Sequence, residues 1–261
     1  MSDFGIIGIG RIGTSMARNM SSKGIIVSLF DKSHNSLDNL KNDYPELDSS
    51  LVFDDINKFI SSISKPRKVL ILVPSGPALD EVISLLIQHL DSNDILIDGG
   101  NTNPNVSFVN HQTIKSKNLL YLGMGVSGGV KGVLEGPSIM IGGDTNAFDQ
   151  VKNIFSQITS KTINDSKSFE FFGDSNQGHF VKMIHNGIEY VEMQLISSIY
   201  YLMINSKKYK YEDVAKIFKK WNDIDLNSYL LEISLLKLTE KTDDSYLLDR
   251  IDDKADDNGT G

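Results

Sequence analysis

The chain contains no cysteine among its 261 residues. It therefore forms no disulfide, carries no thiolate nucleophile and has no cysteine ligand for a metal. A basic surplus is also missing, because 34 acidic residues outnumber 26 basic ones and the net charge is −8. Nucleic acid is not expected as the main partner, since proteins neutralise its phosphates with lysine and arginine.

Long apolar segments are absent as well. No uninterrupted apolar run approaches the length that a transmembrane helix needs, and the first residues lack the basic start and apolar core of a signal peptide. Hydrophobic residues make up 40% and charged residues 23% of the chain, which is typical of a globular protein. We therefore expect a cytoplasmic protein that does not bind membranes and is long enough for two domains.

The first two thirds of the chain consist of short apolar runs separated by amphipathic segments. The apolar runs predict buried strands at residues 4–9, 25–30, 51–53, 69–73, 94–98, 119–123 and 138–142. Segments between them, such as residues 14–22 and 79–90, have helical periodicity. Strands that alternate with helices predict an α/β fold, with a doubly wound and mostly parallel sheet of the Rossmann type.

The pattern changes near residue 175. Three helical segments follow, at residues 178–203, 211–220 and 227–239, and the first is too long for the preceding rhythm. The sequence therefore predicts two domains, a Rossmann-type domain over residues 1–175 and an all-α domain over residues 176–261.

A glycine fingerprint for dinucleotides follows the first predicted strand and opens a helix. Its six residues are Gly8, Ile9, Gly10, Arg11, Ile12 and Gly13. In this pattern Gly8 permits a tight turn, Gly10 leaves room for a pyrophosphate, and Gly13 lets the helix pack close to the strand. The N–H groups at the start of the helix then bind the phosphates. The alternative is a glycine-rich turn without a ligand.

The acidic residue at the end of the second predicted strand bears on the choice of cofactor. Asp31 would accept hydrogen bonds from the adenosine ribose and repel a 2′-phosphate, which favours NAD over NADP. Lys32 and Ser33 follow directly and could hold a phosphate, so that NADP stays open.

Two further glycine-rich segments follow predicted strands. Residues 98–103 read Asp-Gly-Gly-Asn-Thr-Asn, and residues 127–129 read Ser-Gly-Gly. Because ligands of open α/β sheets bind outside the carboxyl ends of the strands, both segments should face the same cleft as the fingerprint. The alternative is that they are ordinary turns, as we predict for Gly142-Gly143.

The first long helix carries an unusual polar stripe. Lys182, His185, Asn186 and Glu189 share one helix face, within a run otherwise rich in isoleucine, methionine and valine. A buried lysine and glutamate are costly unless they are paired or used. We therefore expect the stripe to be buried or to line a cleft, and the alternative is a polar helix face with an ion pair between its ends.

These residues resemble the motifs of the 6-phosphogluconate dehydrogenase family, the decarboxylating enzymes of the pentose phosphate pathway. The resemblance extends from Gly5 to about Gly261, and residues 178–190, Gly-His-Phe-Val-Lys-Met-Ile-His-Asn-Gly-Ile-Glu-Tyr, form its most specific motif. The other segments that carry it are residues 8–13, 98–101, 125–129, 136–138, 221–222 and 228–233.

The resemblance implies oxidative decarboxylation of 6-phosphogluconate to ribulose 5-phosphate and CO₂, with reduction of NAD or NADP. Lys182 would be the base that takes the proton of the 3-hydroxyl group, and Glu189 the acid that protonates C1 of the enediol. A lysine acts as a base near neutral pH only where burial lowers its pKa. No metal is required, because the protonated lysine polarises the keto group before CO₂ is lost.

The resemblance also implies which residues hold the ligands. Substrate would contact Asn101, Ser127, Gly128, Gly129, His185, Asn186 and, at its phosphate, Tyr190. The cofactor would contact the fingerprint together with Asp31, Lys32, Ser33, Val73, Pro74, Ser75 and Asn101. A homodimer is implied if the protein continues beyond Gly261.

Three departures from the family pattern leave alternatives open. Residues 31–33 read Asp-Lys-Ser where NADP-dependent members carry Asn-Arg-Thr, and Asn258 stands where many members carry a phosphate-binding lysine. The chain also stops at Gly261, before the helices that supply phosphate-binding arginines in the family. Residues 176–261 would thus be only the start of the helical domain. The alternatives are a catalytically silent dinucleotide-binding protein or fragment, and another β-hydroxyacid dehydrogenase, which the Glu189-Tyr190 arrangement disfavours.

Overall fold

A computed structural model describes residues 1–48, 51–162, 164–174 and 176–252. The chain falls into two compact units, the first ending at Ile184 and the second beginning at His185. This boundary falls within one long helix, Gln177–Asn205. Asn258, where the family pattern has a lysine, lies outside the described residues.

The first unit is built on an eight-stranded sheet with the spatial order β3-β2-β1-β4-β5-β6-β7-β8. Its strands are Phe4–Ile7 (β1), Val27–Phe30 (β2), Val52–Phe53 (β3), Lys68–Ile71 (β4), Ile95–Asp98 (β5), Leu120–Ser127 (β6), Ser138–Gly143 (β7) and Phe169–Phe171 (β8). Every neighbouring pair is parallel except β6 and β7. The predicted mostly parallel sheet is confirmed, and β8 adds a strand too short for the sequence pattern to predict.

Helices cover both faces of this sheet because successive strand residues point to opposite sides. Ile6 belongs to one buried cluster and Ile7 to the other. The helices of the first unit are Arg11–Ser22 (α1), His34–Asp43 (α2), Ile56–Ser62 (α3), Pro77–Ile87 (α4), Pro104–Lys115 (α5), Gly129–Glu135 (α6) and Thr145–Ile158 (α7). Proline occupies the first position of α4 and of α5, where its missing N–H has no cost.

Strand β6 is longer than the sequence pattern predicts. Its last four residues include Gly125, a poor strand former, but pairing with β7 extends the strand to Ser127. The prediction of a plain turn at Gly142-Gly143 is wrong for the same reason, because both glycines pair with β6. Local propensity is overridden here by the neighbouring strand.

The helical part begins with Gln177–Asn205 (α8) and continues with Tyr211–Asn222 (α9) and Tyr229–Thr239 (α10). A short hairpin, Lys241–Thr242 (β9) and Ser245–Tyr246 (β10), and a 3-10 turn at Leu247–Arg250 follow the helices. Their buried core is Val214, Ala215, Phe218, Leu231 and Leu238. Among the residues that the structure describes, no helix combines the length and apolar character needed to cross a bilayer.

Helix α8 exposes large apolar side chains along much of its length. Ile188 is 66%, Val191 60% and Leu202 67% exposed. Exposed apolar patches of this extent are typical of surfaces that bind another protein segment.

Two glycines of α8 give a matched test of how the helix is attached to the sheet. A Cβ on Gly178 would lie 2.7 Å from Gly142 N and 2.7 Å from Met140 O, whereas a Cβ on Gly187 would meet nothing within 4 Å. Gly178→Ala should lower the free energy of unfolding by about 3 kcal/mol, because backbone atoms cannot move aside. Gly187→Ala should change it by less than about 1 kcal/mol, in the stabilising direction. Urea unfolding followed by circular dichroism measures both, and equal losses would contradict the close contact.

Candidate active site

The three fingerprint glycines have three different surroundings. Gly8 has φ +95° and a Cβ there would stand 2.5 Å from Leu72 O, while a Cβ on Gly13 would overlap Gly8 O. These two glycines are required by the fold itself. Gly10 differs from them, because a Cβ there would meet nothing within 4 Å. The space beside Gly10 is therefore available to a ligand.

That space lies at the start of α1. Gly10 is the residue that precedes the helix, and no side chain caps the helix there. Ile9 is buried, Ile12 is half-buried and Arg11 is exposed. Backbone N–H groups and the helix dipole make such a helix start favourable for phosphate, and the open cradle at Gly10 fits the pyrophosphate of a dinucleotide.

Asp31 holds the fingerprint loop from the end of β2. Its Oδ2 accepts the N–H of Ile9 at 2.8 Å, and its Oδ1 accepts the N–H of Ser33 at 2.9 Å. Both oxygens are thus fixed in direction. The neighbouring Lys32 forms an ion pair with Glu81 of α4, so its charge is already compensated within the protein.

The loop after β4 lies between the fingerprint and the loop after β5. Val73 contributes to both contacts, because its Cγ1 would stand 3.0 Å from a Cβ on Gly8 and its carbonyl oxygen 3.2 Å from a Cβ on Gly100. Pro74 is exposed, whereas Ser75 is half-buried and its Oγ has no hydrogen-bond partner within the described part of the chain. A buried hydroxyl of this kind is suited to a ligand's polar atom.

Strands β5 and β6 end at the same edge of the sheet, as predicted from their parallel pairing. Asp98 is level with Gly123, so that β6 continues four residues further to Ser127, roughly 13 Å. Asn101, Gly128 and Gly129 are exposed at these ends, and Ser127 is half-buried.

Lys182 is buried in the first unit, with 7% of its surface exposed. Its aliphatic stem lies on Gly125 of β6, where a Cβ would stand 2.9 Å from the lysine Cγ. Any larger residue at that strand position would displace the lysine. The structure thus places the buried lysine on a strand position two residues before Ser127.

The rest of the polar stripe belongs to the second unit. His185 Nδ1 lies 3.2 Å from Glu189 Oε2, one helical turn away, and Asn186 is half-buried beside them. Tyr190 is 64% exposed. His185, Asn186 and Glu189 are less exposed than their apolar neighbour Ile188.

The first unit also contains a buried hydrogen-bond network that the sequence did not predict. His179 Nδ1 lies 2.8 Å from Ser107 Oγ, and His179 Nε2 lies 3.1 Å from the carbonyl oxygen of Asp98. Ser107 Oγ is 3.0 Å from the Tyr121 hydroxyl, which lies 3.3 Å from Asp98 Oδ2. The only sequence signal was that His179 precedes Lys182 by three positions, on the same helix face.

The protonation states within this network follow from burial. Burial lowers the pKa of His179, although the Asp98 carboxylate acts in the opposite sense, so the ring is neutral at neutral pH. Because a carbonyl oxygen only accepts, Nε2–H donates to Asp98 O and Nδ1 accepts from the Ser107 hydroxyl. Burial and the nearby Asp98 carboxylate raise the pKa of Tyr121 well above its usual value, so it remains a donor.

Two other features contain none of the predicted site residues. A cavity of about 410 Å³ in the helical unit is bordered mainly by apolar side chains, among them Met193, Phe218 and Leu238. No group of three or more histidine, aspartate or glutamate side chains in the described ranges is arranged to hold a metal ion.

Family models match both parts of the chain. Residues 3–166 match the NAD binding domain of 6-phosphogluconate dehydrogenase, and residues 178–261 match the C-terminal domain of 6-phosphogluconate dehydrogenase. These two matches together cover almost the whole sequence.

Curated relatives agree with the family models. The decarboxylating 6-phosphogluconate dehydrogenase of Buchnera aphidicola is 40% identical over 259 residues, which are 98% of this chain and 54% of that protein. The enzyme of the same name from Rattus norvegicus is 37% identical over all of this chain and 54% of its own length. The chain thus spans about half the length of the curated relatives it matches.

Solved structures show the same fold. The 6-phosphogluconate dehydrogenase of Plasmodium falciparum, described with NADP⁺ and with 6-phosphogluconate, has 37% identity and a TM-score of 0.87 over 95% of this chain and 54% of its own. A 3-hydroxyisobutyrate dehydrogenase from Salmonella typhimurium has 17% identity and a TM-score of 0.73, over 89% of this chain and 76% of its own. The second likeness concerns the fold alone.

Substitutions of the fingerprint glycines can distinguish a glycine needed for ligand binding from one needed for packing of the protein. Gly10→Ala should weaken NAD binding about tenfold, because the methyl group enters the phosphate space, which corresponds to ~1.4 kcal/mol. Its melting temperature should not change, since the methyl group meets no protein atom. Gly13→Ala should instead lower the melting temperature. Calorimetry measures both quantities, and a destabilised Gly10→Ala variant would contradict the open cradle.

Proposed function

The chain belongs to the 6-phosphogluconate dehydrogenase family, and on this premise we propose that it carries the dinucleotide site and catalytic base of an enzyme that oxidises and decarboxylates 6-phosphogluconate to ribulose 5-phosphate and CO₂. The observation that carries the proposal is the burial of Lys182 on Gly125 of β6. In the same unit the glycine fingerprint leaves the space beside Gly10 open to a ligand. Burial of a lysine amine costs free energy, and buried ionisable groups are typical of functional sites.

The proposed chemistry uses two side chains of α8. The fingerprint residues would hold the dinucleotide, whose nicotinamide would supply the acceptor for the hydride that leaves C3 of the substrate. Lys182 takes the proton of the 3-hydroxyl group and, once protonated, donates a hydrogen bond to the C3 carbonyl while CO₂ leaves. Glu189 protonates C1 of the resulting enediol. His185, which lies 3.2 Å from Glu189, orients this carboxyl group.

Substrate recognition in this proposal relies on neutral groups. Asn101, Ser127 and Asn186 supply hydrogen bonds to the hydroxyl and carboxylate groups, with His185 as a further donor. The exposed backbone of Gly128 and Gly129 permits close approach, because a Cβ on Gly129 would meet nothing within 4 Å. Tyr190 would contact the substrate phosphate, and its 64% exposure leaves the hydroxyl accessible.

Several features of the proposal go beyond catalysis. We propose that the domain division lies near residue 175, just before α8, and that the complete protein is a homodimer. The exposed apolar side chains of α8 support association with another protein surface. A cytoplasmic location stays a prediction from the sequence.

Turnover with two substrates tests the function. We expect reduced cofactor and CO₂ with 6-phosphogluconate, and no reduction with 3-hydroxyisobutyrate. Lys182→Met should lower kcat about 10³-fold, the contribution of a general base, without loss of cofactor binding. Lys152→Met is the matched control, because this lysine is exposed on α7.

Other outcomes would favour the alternatives. Cofactor binding without turnover of either substrate would indicate a silent dinucleotide-binding protein. Turnover of 3-hydroxyisobutyrate alone would indicate another β-hydroxyacid dehydrogenase, and full activity of the Lys182→Met variant would exclude the assigned base. The mass of the active species in solution tests the homodimer.

We further propose that NAD is preferred over NADP. The carboxylate of Asp31 is fixed by two backbone N–H groups and would lie near the adenosine ribose, where it repels a 2′-phosphate. Lys32, the nearest cation in sequence, is paired with Glu81 and gives a phosphate little attraction. These two contacts support the preference, although the Plasmodium relative is described with NADP⁺.

The ratio of kcat/KM for NADP to that for NAD tests this preference. Asp31→Asn should raise the ratio about tenfold, since it removes ~1.4 kcal/mol of charge repulsion. Glu81→Gln should raise it less, by releasing Lys32. Lys41→Met is the control, because this lysine is exposed on α2, and it should leave the ratio unchanged. A parent enzyme that already uses NADP more efficiently than NAD would refute the proposal.

A further inference from the structure

We propose that His179 is a positioning residue, which fixes Lys182 and the loop carrying Asn101 relative to each other through a buried network with Asp98, Ser107 and Tyr121. The inference rests on the proposed function, because it concerns the placement of the base and of a substrate contact. His179 itself is 2% exposed.

The first link joins His179 to the loop after β5. Its Nε2 donates to the carbonyl oxygen of Asp98 at 3.1 Å, three residues before Asn101. The same loop is held from the other side, because Asp98 Oδ1 accepts the N–H of Gly100 at 3.1 Å. The backbone that leads to Asn101 is therefore fixed by one bond from the helix and one from within the loop.

The second link is the path of α8 along β6. A Cβ on Gly123 would stand 2.9 Å from His179 Nδ1, and a Cβ on Gly125 would stand 2.9 Å from Lys182 Cγ. Gly123 and Gly125 lie on the same face of β6, and His179 and Lys182 lie on the same face of α8. Each glycine therefore contacts one of the two side chains. A shift of the imidazole along the strand would carry the lysine with it.

The third link holds the imidazole in one orientation. Ser107 of α5 donates to Nδ1 at 2.8 Å, and the Tyr121 hydroxyl lies 3.0 Å from the same serine oxygen. Tyr121 is fixed in turn, since its ring stacks on His111 with centroids 5.4 Å apart and its N–H donates to Asp144 at 2.9 Å. Three elements besides α8 therefore determine where the ring lies.

The network explains why polar side chains are found at buried positions that apolar residues could otherwise fill. Asp98, Ser107 and Tyr121 are fully buried, and a buried polar group is costly unless all its partners are in place. Such networks specify one arrangement more sharply than apolar packing does. A displacement of about 1 Å at a reacting group can cost about 100-fold in rate, which is the scale on which this arrangement matters.

Substitutions of His179 test the proposal by steps. His179→Leu removes both hydrogen bonds, and we expect kcat with 6-phosphogluconate to fall about 30- to 100-fold. His179→Gln retains a donor near the position of Nε2 and should recover most of this loss, whereas His179→Asn retains only the contact to Ser107 and should not. NAD affinity should fall far less than kcat in all three, because Asn101 is one of many cofactor contacts and the fingerprint lies outside the network. His89→Gln, two residues after the end of α4, is the matched control and should be fully active.

A double-mutant cycle separates positioning from general stability. If His179 acts through Lys182, then His179→Leu should have no further effect on the residual turnover of a Lys182→Met variant. Equal losses in both backgrounds would overturn the proposal, and so would a His179→Leu variant with unchanged kcat. A large loss of NAD affinity in His179→Leu would also overturn it, because the effect would then extend to the whole domain.

Hydrogen exchange keeps the test independent of the proposed function. In His179→Leu, the amides of residues 98–103 and 178–184 should exchange faster, while those of residues 8–22 should not change. Faster exchange together with an inactive parent chain would support the positioning network and refute the proposed reaction. Unchanged exchange at residues 98–103 would refute the network, whatever the activity of the parent chain.

Discussion

Close packing of backbone against backbone attaches the first turn of α8 to the sheet. Gly178 meets Gly142 and Met140 at distances that exclude even a methyl group, and Gly123 and Gly125 leave β6 without side chains on the facing side. The helix can therefore approach the strands more closely than in ordinary helix–sheet packing. This close approach brings His179 and Lys182 against Gly123 and Gly125 of β6. The position of Lys182 in the candidate site therefore depends on it.

Carboxylates at the ends of strands serve the backbone in this fold. Each accepts an N–H from a loop or strand that would otherwise be free to move: Asp31 from Ile9, Asp94 from Arg67, Asp98 from Gly100 and Asp144 from Tyr121. Such charge-assisted bonds are stronger than neutral ones. Part of the acidic surplus of the chain is thus structural. Asp31 and Asp98 lie at the carboxyl ends of parallel strands, where ligands of α/β sheets bind, whereas Asp94 precedes β5 and Asp144 bonds the start of β6.

Much of the site was predictable because its signals are local. The roles of Gly8, Gly10 and Gly13 depend on the turn and helix in which they lie, and a short sequence contains both. The parallel pairing of β5 and β6 similarly follows from the alternation of strands with helices. The network of Asp98, Ser107, Tyr121 and His179 was not predictable, because its members come from four elements and none of their local patterns differs from ordinary core residues. Extension of β6 past Gly123 was not predicted, because it depends on pairing with the neighbouring strand β7.

The sequence by itself determined the fold class, the dinucleotide fingerprint and the helix face that carries Lys182, since each depends on periodicity or on spacing within a single element. Only the tertiary structure decided that Lys182 lies on Gly125, that Lys32 is paired with Glu81 and that His179 joins α8 to the loop after β5. These contacts link residues far apart in the chain. Their partners are chosen by how strands and helices pack, which the spacing of residues along one element does not specify.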